Sequence, residues 1–300
     1  MNGFHKAMIG FAATGLLMGA PDRTAAQSTE TAEQAGQGVD DPQNDDIFVQ
    51  GQTEEALQAL LESVLAEARD GQMARFATPI CPRALGFPAA YAPTIEQRIR
   101  RDAKKAGLKT GSANCTGNLI VVISDDPKAF LNYAEKKVNG IFDALTRVER
   151  AALFDSSGPS WAWQAVEVVD SFGQPPDIDG RYKMRGSRLG MEGRQNFSLS
   201  FIVIDVNAID GMTLQQLADF AAMRTLAKIR DEATQSRRTD SILGLFTLPD
   251  GSRPDEITRA DLAMLRALYA TSPSLSAKQQ RSAMADRISG ERAEEGAGEE

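Results

Sequence analysis

What most constrains the fold is a pair of strongly apolar segments, Leu119-Ile120-Val121-Val122-Ile123 and the stretch from Phe197 to Val206. The first is apolar enough to be buried on both faces, so it belongs inside a sheet that other elements cover. Helix-period segments surround both. Thr53–Arg69 carries Leu57, Leu60, Leu61, Val64, Leu65 and Ala68 on one stripe, with Glu54 and Glu55 in the first turn and Gly71 beyond the end. Met73–Ile80 reads as a strand leading into Cys81-Pro82. A helix from Pro93 to Gly107 turns Ile95, Ile99 and Ala103 inward and leaves Arg98, Arg100, Arg101, Lys104 and Lys105 outside. Leu108–Thr110 and Asn118–Ser124 follow as strands, and Asp126-Pro127 opens a helix with an N-cap acceptor and a first-turn proline. Thr146 and Glu149 form a capping box for the next helix.

The second half starts with a long strand that has Trp161 and Trp163 on one face. After it, 175–194 is turn-rich and basic. Helices are predicted over Leu214–Lys228, Arg259–Ala270 and Ala277–Ser289, with Thr213/Gln216 and Thr258/Asp261 as caps. The expected class is α+β, with mixed or antiparallel sheets, flanking helices and a helical C-terminal third. Residues 53–155 form an N-terminal α+β layer and 156–289 a C-terminal α+β region. Residues 290–300 form a disordered acidic tail.

Residues 1–26 have the parts of a secretory signal: Lys6, an apolar run from Ala7 to Ala20, Pro21, and small residues before a cleavage point near Ala26. The run is shorter than the roughly 20 residues a membrane span needs, and no later segment is long and apolar enough. Residues 27–52 form a disordered spacer, too poor in bulky apolar side chains to offset ordering entropy. The spacer ends in the β-prone island Asp45-Asp46-Ile47-Phe48-Val49-Gln50-Gly51-Gln52. This island resembles a segment found just after the signal in many TonB-dependent exported proteins, and it also reads as an edge strand or as the start of the folded domain. The expected location is the bacterial periplasm or exterior. There the two cysteines, Cys81 and Cys115, are expected to form a disulfide. A net charge of −8 on an exported chain argues against nucleic acid as the main partner.

The single histidine, His5, lies in the leader. The mature chain therefore has no imidazole for a Ser-His-Asp triad, a Cys-His pair or an HExxH zinc site. No P-loop, Gly-x-Ser-x-Gly or Ser-x-x-Lys occurs. No catalytic residue, metal ligand or cofactor is assigned. Asp177-Ile178-Asp179-Gly180 lacks the further ligands of a calcium loop.

From Phe201 to Tyr269 a buried strand, a capped helix, the segment Asp240–Phe246 and a helix with Asp261, Leu265, Arg266, Ala267, Leu268 and Tyr269 follow one another. This order resembles the C-terminal half of exported bacterial zincin-like proteins. The resemblance implies a degenerate metalloprotease-like scaffold, because Leu217-Ala218-Asp219-Phe220-Ala221-Ala222 stands where the metal helix would carry two imidazoles. It implies a non-catalytic protein that binds an envelope protein or peptide in a groove beside 214–228, with Asp219 and Arg224 as exposed polar candidates. The same residues also read as an ordinary core stripe, with Asp261 as a helix cap. Two alternatives stay open: a histidine-independent envelope hydrolase of carboxylate or Ser-Lys type, and an envelope-anion binder using Arg181, Arg185 and Arg188 in the basic turn.

Overall fold

A computed structural model describes residues 53–68, 71–170, 173–175 and 193–297, with side chains as far as Glu291. The leader, the spacer, the calcium-like loop and Arg181, Arg185 and Arg188 lie outside the described residues. The described residues belong to one compact unit.

The two apolar segments form the middle of a mixed sheet. Its strands are β1 (Pro82–Leu85), β2 (Leu119–Ser124), β3 (Ser160–Asp170) and β4 (Gly193–Asp205), in the order β1-β2-β4-β3. β1 pairs with β2 and β2 with β4 in parallel, while β3 runs antiparallel to β4 at the opposite edge. Central β2 and β4 are covered on both faces, which is why they need apolar residues throughout. Two strands come from each half of the chain, so a single sheet spans the boundary at 155/156.

Around the sheet lie α1 (Glu54–Val64), α2 (Ala92–Lys105), α3 (Pro127–Lys137), α4 (Arg147–Asp155), α5 (Leu214–Leu226), α6 (Asp231–Gln235), α7 (Arg259–Ala270) and α8 (Ala277–Ala297). The fold is therefore α+β with a helical C-terminal third. On one face Leu131 and Ala134 of α3 and Leu153 of α4 pack with Trp161, Trp163 and Val203. Trp163 stacks on Phe201 with ring centroids 4.7 Å apart. On the other face α1, α2, α5, α7 and α8 contribute to one larger core. A register shift between Ala165 and Val166 leaves Ser198 as an extra residue in β4. The bulge inverts the alternation, so Phe197 joins Ile202 and Ile204 in the larger core.

The sequence signals at helix starts hold. Asp126, Thr146, Thr213 and Thr258 cap α3, α4, α5 and α7 as expected, and the last three have full capping boxes; Thr53, not expected as a cap, caps α1. Four expectations are corrected. The helix expected over Thr53–Arg69 ends at Val64, and Leu65 instead makes a β-bridge with Ile229. The strand at 73–80 is only two isolated bridges, Arg75 to Asn196 and Ile80 to Thr110, and the true strand begins one residue past Cys81. Pro82 can open it because β1 is an edge strand, where a missing N–H costs no ladder bond. Leu108–Thr110 makes only the Thr110 bridge. The tail is helical as far as Ala297, and Arg266 of α7 holds Glu291 at 3.1 Å.

Candidate functional site

The apolar stripe of α2, Ile95, Ile99 and Ala103, also includes Asp102. That carboxylate meets Asp219 of α5 inside the protein, and both are fully buried. Arg98 clamps Asp219 with two bonds, Nε to Oδ1 at 2.6 Å and Nη2 to Oδ2 at 2.7 Å. The N–H of Ile257 also donates to Asp219 Oδ2 at 2.7 Å. Arg101 donates to Asp102 Oδ1 at 2.9 Å, and Glu256 bridges Arg98 and Arg101 from the outside at 2.8 and 3.4 Å. The cluster thus joins α2, α5 and the segment leading into α7.

Asp102 Oδ2 receives no donor. Burial, and then the hydrogen bond and charge of neighbouring Asp219, push the Asp102 carboxyl well above its ordinary range, and Arg101 only partly offsets them. The Asp102 carboxyl therefore holds its proton more readily than an exposed one, because burial and the neighbouring like charge both disfavour its ionised form. Burial disfavours the Arg98 charge, but the bonds and charges of Asp219, Asp102 and Glu256 outweigh it and hold the guanidinium above its usual value. Both carboxyls are closed off from solvent where α2 packs on α5.

Asp219 and Arg224, expected from the sequence to be exposed beside a groove, are instead buried. Every residue from Gln216 to Leu226 is buried. An alanine-rich helix is thin enough to be enclosed by the sheet, α2 and α7, so its polar residues turn inward to protein partners. Arg224 Nη2 donates to Asp231 Oδ1 at 2.7 Å, and its Nη1 to the Ile229 carbonyl at 3.3 Å. Asp261 is likewise internal, accepting from Ser241 Oγ at 2.6 Å and the Ile242 N–H at 2.8 Å. Burial raises its pKa against the pull of these bonds. Arg98 and Arg101, expected in solvent, lean into the cluster, whereas Lys104 and Lys105 are exposed.

The cysteines pair as expected: Cys81 and Cys115 form a disulfide with Cα atoms 5.9 Å apart. Among the described residues no group of His, Cys, Asp and Glu could hold a metal ion. A surface opening lies elsewhere, a cleft of about 430 Å3 between α1 and the segment 237–240. Arg237 and Ser63, which line it, were not singled out in the sequence, since an arginine pair after a short helix carries no motif.

No family model matches this chain, and no curated protein or solved structure does either. The site therefore has to be interpreted from its own chemistry.

Proposed function

We propose that this is an exported bacterial cell-envelope protein, cleaved near Ala26, that acts by binding an envelope protein or peptide and not by catalysis. Its C-terminal half is a zincin-like scaffold whose metal helix has become a core helix. The observation that carries this reading is the state of Asp219. Its two oxygens take bonds from Arg98 and Ile257, and it sits on a helix buried from Gln216 to Leu226. A carboxylate held this way is committed to its protein partners. The Cys81–Cys115 bond suits an oxidising compartment. Among the described residues no helix is long and apolar enough to cross a membrane.

The test is incubation of the purified mature protein with casein and with peptidoglycan. Intact substrates by gel and mass spectrometry are expected; release of fragments from either, lost in Asp219→Asn, overturns the reading. N-terminal sequencing of the periplasmic protein is expected to begin at Gln27, and a retained leader would contradict export.

A further inference from the structure

The inward stripe of α1 is Leu57, Leu61 and Val64. A second face of the same helix, with Ala56, Ala59, Leu60 and Ser63 at positions i, i+3, i+4 and i+7, instead floors the cleft. The opposite wall, 236–240, is fastened at several points. Thr247 Oγ1 donates to the Ser236 carbonyl at 3.0 Å and Thr258 Oγ1 to the Asp240 carbonyl at 2.8 Å. Gly244 approaches so closely that a Cβ there would lie 2.2 Å from the Arg238 carbonyl oxygen. Arg238 grips Asp240 through Nε at 3.2 Å and Nη2 at 2.8 Å, so these two charges cancel within the wall.

Arg237 is left as the uncompensated charge. It is exposed, lines the cleft and has no partner among the described residues. Glu55 and Glu62, the α1 carboxylates beside this face, do not line the cleft, and Glu62 faces Arg281 at 3.9 Å. A rigid wall with one free guanidinium, facing a floor of small apolar side chains, complements a monoanion with an apolar body. The Thr239 hydroxyl adds a group able to bond an amide, Ser63 Oγ, which donates to the Leu60 carbonyl at 2.7 Å, can still accept from one, and the volume falls in the range of ligand sites.

We propose that this cleft captures the free C-terminal carboxylate of a peptide whose last side chain is apolar, with Arg237 as the carboxylate anchor. The inference rests on the binding role proposed above and gives that role a ligand class. The test is fluorescence anisotropy of the mature chain with a fluorescein-labelled pentapeptide ending in valine, as free acid and as C-terminal amide. Saturable binding of the acid is expected, weakened about tenfold or more by amidation and equally by Arg237→Glu. Ala59→Trp, which fills the cleft from the exposed side of α1, should abolish binding while far-UV circular dichroism stays unchanged. No saturable binding of the acid, or binding indifferent to amidation and both variants, overturns the proposal. Self-association of the wild type that Ala59→Trp abolishes, without peptide binding, assigns the cleft to a second copy and overturns it too. The peptide's mass is followed in the same samples. Hydrolysis would sink the non-catalytic reading while leaving the cleft, whereas absent binding sinks the cleft alone.

Discussion

Asp102 and Asp219 are fully buried carboxyl groups, and their partners decide what that burial costs. Removing one partner of a buried pair costs about 3–5 kcal/mol, because the other charge is left desolvated. Arg98→Ala should lose stability of that order in urea unfolding. By contrast, Arg150→Ala, which breaks the exposed pair with Glu135, should cost about 0–1 kcal/mol. Equal losses would show that the cluster is no tighter than the surface. The raised pKa of Asp102 also has a direction in pH. The folded state keeps a proton that the unfolded chain has released above roughly pH 4, so this group's contribution falls as pH rises from there toward neutrality. Asp102→Asn, which imitates the protonated form, should flatten that part of the stability profile and raise Tm more at pH 8 than at pH 5. An unchanged slope refutes it. Asp102 was legible in principle, since it lies seven residues after Ile95 on the inward stripe. Its partner was not, because nothing local in the sequence pairs position 102 with 219.

Among the elements, β1 shows most clearly how local chemistry and tertiary context divide the work. Cys81 is tied to Cys115, 34 positions on, and Arg83 donates to the Ala113 and Cys115 carbonyls, so a four-residue strand is fixed at its start and along its side. Glu96 Oε1 accepts from the Ala84 N–H at 3.2 Å, which occupies a donor on this edge strand. Reducing the disulfide should cost about 3–4 kcal/mol in the chain-entropy model, read as a lower Tm with dithiothreitol. No change in Tm would mean the loop is already held by its hydrogen bonds. The strand ends at Gly86, where φ is +80° and a Cβ would lie 2.2 Å from the Ile123 carbonyl oxygen. Gly86→Ala should therefore cost more than the roughly 1–2 kcal/mol of left-handed strain alone, measured by urea unfolding. The capped helices were readable because a cap is local. Strand 73–80 was misread because β-prone composition says nothing of whether a partner strand runs beside it.

Across the whole molecule, β2 from the first half lies against β4 from the second, and the larger core draws on helices from both. The two halves should therefore unfold together. Both tryptophans are in β3, so their fluorescence and far-UV circular dichroism should give one coincident midpoint in urea. Two separated transitions would contradict the shared sheet. The sequence by itself determined the class of fold, the capped helix starts, the two buried strands and the cysteine pair, because periodicity, caps and apolar runs are properties of short stretches. It also determined that no imidazole occurs beyond residue 5. Only the tertiary structure decided that α5 is enclosed, that Asp219 is bonded to Arg98, and that Arg237, without a partner among the described residues, lines a cleft floored by α1. Those facts depend on which segments distant in the chain meet, and side-chain chemistry at one position does not encode its neighbour.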